Sequence, residues 1–269
     1  MIDLHLHPLP GLDDGPSTME EAVALVRAAA AAGTATLVAT PHLDHRWNVE
    51  PDAIAPAVAA LNDRLRGDSV EAVVLAGAEV AVPRLLEMPA HRVDAVRLGG
   101  GPYLLVEMPH TTAMGDFDTA LVDRLRGGDH LVLAHPERCP TFQRDPSRLE
   151  RLVEAGALTS VTAGSMAGRF GRRVREFTIR LFERGLVHSV ASDAHDVARR
   201  PPGLVSGFDG LDRVLPRIPD LMDWLTQEVP HAVLTGTPVP VRPVERLRPR
   251  SRARSVLARL GGRGPTHRV

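Results

Sequence analysis

A short apolar, β-branched run recurs seven times before residue 192, and most of these runs are followed by a stretch of helical periodicity. This serial alternation restricts the fold more than any other feature of the chain. Strands joined by helical crossovers run parallel, so the pattern places the chain in the α/β class. The runs are Met1–His7, Thr34–Thr40, Val70–Gly77, Pro102–Val106, His130–Ala134, Leu158–Ala163 and Leu186–Ala191. Helices are expected from Ser17 or Thr18 to Gly33, Pro51 to Leu65, Asp116 to Arg126, Pro146 to Ala155 and Arg172 to Arg184, with one or two more between Asp209 and Gln227. The segment 80–101 reads as irregular. A length of 269 residues suits one α/β barrel, and a single domain is expected over residues 1–240.

The runs share a second property. Six of the seven end in, or just before, a His, Asp or Glu: His5 and His7, His42, Glu79, Glu107, His135, and Asp193 with His195. Asp14 lies in the turn after the first. In an α/β barrel functional side chains collect at the C-terminal strand ends, whereas a doubly wound sheet concentrates its ligand at one switch point. The distribution therefore favours a closed or nearly closed barrel of about seven strands.

His5 and His7 alternate on one strand and point the same way. They are either hydrogen-bonded histidines or two ligands of one ion. Together the strand-end residues comprise five imidazoles and four carboxylates without a thiolate, a set suited to Mn, Fe or Zn and too nitrogen-rich for Ca. Nine ligands fit two or three ions. Three divalent ions against four carboxylates leave a charge of about +2, matched to a phosphate dianion. The single cysteine, Cys139, excludes an internal disulfide framework and a Cys-based zinc site.

His5-Leu6-His7, Gly11-Leu12-Asp13-Asp14-Gly15, Thr40-Pro41-His42, Gly77-Ala78-Glu79, Val106-Glu107, His135-Pro136-Glu137-Arg138, Gly164-Ser165, and Ser192-Asp193-Ala194-His195 with Arg200-Pro201 resemble the polymerase-and-histidinol-phosphatase (PHP) superfamily. More narrowly, they resemble its bacterial tyrosine-phosphatase branch, which regulates capsule and exopolysaccharide synthesis. The likeness spans about residues 1–235. It implies a distorted (βα)7 TIM-like barrel and a trinuclear centre, with manganese expected and iron or zinc as alternatives. By position, His5, His7, Glu79 and Asp193 would hold one ion, Glu79, Glu107 and His135 a second, and Asp14, His42 and His195 a third. Arg138 and Arg200 would grip the phosphate while a metal-bridging hydroxide attacks phosphorus. The implied substrate is a phosphotyrosine protein, a bacterial tyrosine kinase. Cys139 and Asp196 depart from the usual aromatic and Asn at their positions.

Alternatives stay open on the residues alone. Asp14 could be only a turn residue, and Ser165 could cap a helix or touch phosphate. Trp47 and Phe170 could flank an aromatic substrate; His45 and His110 fall in loops without matching motifs and could line the pocket, and His188 lies inside a strand. Rival activities are a histidinol-phosphate or sugar-phosphate phosphoesterase and a Glu-bridged amidohydrolase; a Cys139-based phosphatase lacks a Gly-rich cradle. No apolar run approaches a membrane span and no leader precedes the first strand, which gives an expectation of a cytoplasmic protein.

Residues 241–269 hold nine Arg against one acid, Glu245, whereas the preceding 240 hold 23 Arg and 32 acids. This basic tail is expected to be disordered. It could contact anionic membrane or an acidic partner, and no specific nucleic acid is implied.

Overall fold

The computed structural model describes residues 1–111 and 115–243; the Arg-rich tail, from residue 244 onward, lies outside them. Among the described residues nine strands form: β1 (Ile2–Leu6), β2 (Thr36–Ala39), β3 (His42–Leu43), β4 (Val73–Ala76), β5 (Glu79–Ala81), β6 (Tyr103–Glu107), β7 (His130–Ala134), β8 (Leu158–Thr162) and β9 (Ser189–Ala191). They make two sheets, β1-β2-β4 and β3-β5-β6-β7-β8-β9, and every strand pair is parallel. The mixed α/β, single-domain reading holds.

Nine strands replace the seven expected because two runs are interrupted. Pro41 has no N–H for a ladder, so β2 stops at Ala39 and the chain resumes at His42 as β3. The run before Glu79 breaks at Gly77, where a Cβ would meet Val38 Cγ1 at 2.9 Å and Leu98 Cδ2 at 3.2 Å. A glycine lets the chain step past these side chains and re-form as β5. The segment 80–101, read as irregular, contains two short helices, Val82–Glu87 and Ala90–Val93. The seventh strand begins at Ser189, which leaves His188 just before it.

β1 and β9 meet across the two sheets without a regular ladder. An isolated bridge pairs Leu6 with Ala194, Asp193 N–H donates to the His5 carbonyl at 2.8 Å, and His7 N–H donates to the Ala194 carbonyl at 2.8 Å. The Asp3 carboxylate clasps the same seam, accepting from Ser192 N–H at 3.1 Å and His5 N–H at 3.2 Å. Burial pushes this carboxyl up to about 6 against those hydrogen bonds. A register shift between Asp3 and Leu6 gives β1 one residue more than β2 at the level of His5.

The helices cover the sheets by apolar stripes. Met19–Ala31 starts in a capping box of Thr18 and Glu21 and buries Ala22, Val23, Leu25, Val26 and Ala29. Arg172–Arg184 buries Phe177, Thr178, Leu181 and Phe182 beneath an arginine-rich outer face. Each fully buried Leu or Phe contributes about 2 kcal/mol relative to exposure. Between Asp209 and Gln227 Pro219 opens a short turn of helix, Ile218–Leu221, and a π-helical stretch, Trp224–Glu228, leads directly into the helix Val229–Thr235, so the one or two helices expected there form. No helix among the described residues is long and apolar enough to cross a membrane.

Candidate metal centre

The strand ends bring all nine sequence-selected His, Asp and Glu side chains to one place. Their ligand atoms fall into overlapping groups, each within 4.8 Å: His7, Asp14, His42 and His195; His5, His7 and Asp193; His5, Glu79 and His135; His42, Glu79 and Glu107. His5, His7, Glu79, His135, Asp193 and His195 are buried. His42 and Glu79 are direct partners in the β3–β5 register, which explains why an interrupted strand can carry two ligands side by side.

The backbone is bent to do this. His135 has φ 30° and Asp193 φ 52°, left-handed conformations that cost a bulky residue about 1–2 kcal/mol. His135 N–H is fixed by the Ser160 carbonyl at 2.8 Å, and Asp193 N–H by His5. Gly15 is required for a related reason: a Cβ there would collide with the His7 carbonyl oxygen, so only glycine lets the Asp13-Asp14 turn pack against the end of β1.

The donor set fits cations better than it fits itself. Glu79 Oε2 is buried 2.9 Å from His42 Nδ1, 3.3 Å from His5 Nε2 and 3.5 Å from His7 Nε2, yet makes no well-formed hydrogen bond. His5 Nε2 and His7 Nε2 approach to 3.2 Å, and the His7 and His195 ring centroids lie 3.9 Å apart with the rings tilted by 35°. Crowded imidazole nitrogens facing one carboxylate oxygen are what a shared ion requires.

Charges in the cluster are strongly coupled. Burial favours the neutral acids, but His5 and His135 hold Glu79 well below the carboxylate range, and His195 and His42 do the same for Asp14. Burial lowers His7, but hydrogen bonds with Asp13 and Asp193 outweigh it and push its pKa up to about 9. His42 is raised to about 11 by Asp14 and Glu79 over the same opposition. Burial and His7 push His195 down. Asp193 is held well below its usual value, with burial outweighed by His5, His7 and Arg200.

Both arginines reach the cluster. Arg138 Nη1 donates to Asp193 Oδ2 at 2.7 Å, Arg200 Nη2 is paired with the same oxygen, and Arg200 Nη1 lies 2.9 Å from His195 Nε2. Arg138 also lies over the Phe170 ring at 4.5 Å. A cavity of about 240 Å³ opens onto this face, lined by Arg138, Arg200, Trp47 and the exposed edges of the histidines and acids.

Asp13 and Glu137 escaped the sequence reading as site residues, and His110, expected only to line the pocket, does line it and goes further. Asp13 Oδ2 accepts from His7 Nδ1 at 2.7 Å and from His42 N–H at 3.0 Å, while its Oδ1 accepts from Gly15 N–H at 3.0 Å. A carboxylate only accepts, so Asp13 puts the His7 proton on Nδ1 and aims Nε2 into the cluster. His110 joins Glu107 and His135 as a fifth ligand group; its signal was the i, i+3 spacing from Glu107. Glu137 is buried and accepts from Thr162 N–H at 3.0 Å, locking the turn between His135 and Arg138 onto β8.

Other candidates are placed elsewhere. The Ser165 hydroxyl pairs with Thr162 Oγ1 at 2.8 Å, in the cap of its own short helix. Cys139 is buried with its thiol pushed up by burial, opposite to what a nucleophilic thiolate needs. Asp196 shapes the loop before Arg200 by accepting Ala198 N–H at 2.7 Å. His45 pairs with Glu87 on the surface, away from the cluster.

Comparison with known proteins is consistent with this geometry. The family described as "Capsular polysaccharide synthesis, CpsB/CapC" matches residues 1–234. The chain is 37% identical to tyrosine-protein phosphatase YwqE of Bacillus subtilis over 74% of its own length and 79% of the relative. It is 28% identical to tyrosine-protein phosphatase CpsB of Streptococcus pneumoniae, over 78% and 88%. Among solved structures, one described as YwqE from Bacillus subtilis and CpsB from Streptococcus pneumoniae, "unique metal-dependent tyrosine phosphatases", superposes with a TM-score of 0.79 at 32% identity, over 94% of this chain and all of that one. A dihydropyrimidinase from Brevibacillus agri, at 13% identity and TM-score 0.51 over 91% of this chain and 72% of that one, shares the fold alone. The chain belongs to the CpsB/CapC family of capsular polysaccharide synthesis proteins.

Proposed function

We propose that this chain hydrolyses phosphotyrosine on proteins with divalent metal ions, and that its physiological substrate is a bacterial tyrosine kinase of capsule or exopolysaccharide synthesis. The observation that carries this reading is the convergence of nine His and carboxylate side chains with Arg138 and Arg200 at the mouth of one cavity. The phosphatase relatives, including the one described as metal-dependent, support it. Tyrosine kinases consume ATP, which makes a cytoplasmic location part of the proposal.

His5, His7, Glu79 and Asp193, then Glu79, Glu107 and His135, then Asp14, His42 and His195 would hold the ions, two or three in number. Manganese is our assignment, with iron and zinc compatible with the same donors. Bound ions would neutralise phosphate charge and supply a nucleophile from water at neutral pH. Within the chain, Asp193 ties both guanidiniums to the metal-binding wall, and their remaining N–H groups suit two equatorial phosphate oxygens each. Burial of the ligands keeps the local dielectric low. The leaving phenolate, with a pKa of ~10, makes a modest demand on a general acid.

We also read the two sheets as one distorted seven-stranded barrel with its seam between β1 and β9. The pairing order and the Leu6–Ala194 bridge support this. Residues 1–240 then form the catalytic domain and 241–269 an appended tail.

The test is turnover of phosphotyrosine peptides beside histidinol phosphate by metal-reconstituted protein. We expect the peptides to be the better substrates. Comparable or faster histidinol phosphate hydrolysis would reject the assignment.

A further inference from the structure

A second cavity, of about 110 Å³, opens on the other side of Arg200. It shares Asp193 and Arg200 with the cavity beside the candidate metal centre and is otherwise built mainly from Gly164, Arg169, Phe170, Arg199 and the Pro201–Ser206 loop. Phe170 stands between the two, stacked under Arg138 on one side and lining the second cavity on the other.

The charge there is unbalanced. Three guanidiniums, from Arg169, Arg199 and Arg200, line the space with one carboxylate, Asp193. Asp193 Oδ2 is already taken by Arg138 and Arg200, and its Oδ1 faces His5 and His7 at 3.5 Å. Arg169 and Arg199 form no ion pair among the described residues, and Arg200 Nε is buried without a hydrogen-bond partner. The carboxylate nearest Arg199 in sequence, Asp196, is occupied by the Ala198 and Arg199 backbone N–H groups. Unpaired guanidiniums round a concave space favour an oxyanion, which accepts several of their hydrogen bonds at once.

Size narrows the ligand. A dry cavity of roughly 150 Å³ takes a benzene ring, so a space of about 110 Å³ is small for the phosphotyrosine ring and sufficient for a carboxylate or phosphoryl group. Gly164 keeps the floor open: a Cβ there would meet Phe170 Cε2 at 3.1 Å.

We propose that this cavity is a specificity subsite for a second anionic group of the substrate, an acidic side chain or another phosphoryl group near the phosphotyrosine, held by Arg169 and Arg199. The proposal rests on the phosphatase reading and adds to it a preference for acidic substrates.

The test uses full-length, metal-reconstituted protein and four substrates: free phosphotyrosine, and one peptide with its phosphotyrosine flanked by Ala, by Glu, or by a second phosphotyrosine. We expect wild type to show a KM about tenfold lower for at least one anionic peptide than for the Ala peptide, and the favoured arm identifies the anion. The double variant R169A/R199A, at two exposed positions, should lose that preference through KM while kcat and its rate on free phosphotyrosine stay within about twofold. R172A/R173A, also exposed but outside the cavity, should keep it. Equal KM values for all peptides in wild type, or equal loss in both double variants, would overturn the subsite. Failure of wild type to hydrolyse free phosphotyrosine or any of the peptides would instead reject the phosphatase reading beneath it.

Discussion

Replacing Asp13 should weaken metal binding although Asp13 is not expected to touch a metal. Its carboxylate receives three donors: His7 Nδ1, His42 N–H and Gly15 N–H, at 2.7, 3.0 and 3.0 Å. The bond to His7 fixes the tautomer that leaves Nε2 free, and the other two hold the turn that presents Asp14. Partners of this kind change metal affinity by about 10–100-fold when removed. Leaving the two partly buried backbone donors unpaired lowers folding stability further, by at most about 1–3 kcal/mol each. Asp13→Asn is the sharper probe because it preserves shape. The amide oxygen can face only part of the donor set, so in either orientation its NH2 opposes a donor or forces the proton of His7 onto Nε2. We therefore expect both Asp13→Asn and Asp13→Ala to raise the metal Kd at least tenfold in a chelator-competition titration. Asp13→Asn binding metal as tightly as wild type would refute the argument.

Gly15→Ala drives a methyl group into the His7 carbonyl and should lower metal affinity and activity together; unchanged metal binding would show that the turn can move. His188 is partly buried, and its pKa is lowered to about 4 by loss of solvent around the ring and then by Arg242, against about 6.5 when unfolded. Between these values the unfolded chain takes up a proton that the folded chain refuses, so this contribution to stability is complete above pH 6.5 and falls as pH drops towards 4, by about 3 kcal/mol across the window. Urea midpoints measured from pH 7 to 4 should fall less steeply in His188→Asn than in wild type, and parallel profiles would contradict this. Removing residues 244–269 should leave peptide hydrolysis intact; a large loss of kcat would place the tail in the active domain. The cut is made beyond Arg242 because that side chain covers Trp224 at 5.9 Å and donates to the Phe182 carbonyl at 3.3 Å.

The proposed metal ligands were legible because most are polar residues at the end of an apolar run, where a buried charge needs a partner. His5, His7, Glu107, His135 and Asp193 carry that signal directly. Asp13 does not: it shares its turn with Asp14, and only the packing of Gly15 on His7 decides which carboxylate faces inward. His110 follows Pro109 in a loop, and nothing local says that the loop folds back over His135. The interruption of two strands was equally hidden, since Thr34–Thr40 and Val70–Gly77 read as continuous β-rich runs. Pro41 and Gly77 were visible, but the neighbours that make Gly77 a break, Val38 and Leu98, are tertiary. The grip of Arg138 and Arg200 on Asp193 likewise joins residues far apart in the chain.

We propose that the clustered strand ends form a metal centre that hydrolyses phosphotyrosine. The most direct test follows bound metal per chain and the rate of phosphotyrosine-peptide hydrolysis on one sample as metal is returned to the stripped protein. We expect activity to be absent at the start, to rise as the second ion binds, and to be abolished in a folded His135→Ala variant. A stripped protein that retains the full rate, or a fully active protein holding fewer than two ions per chain, would contradict the claim.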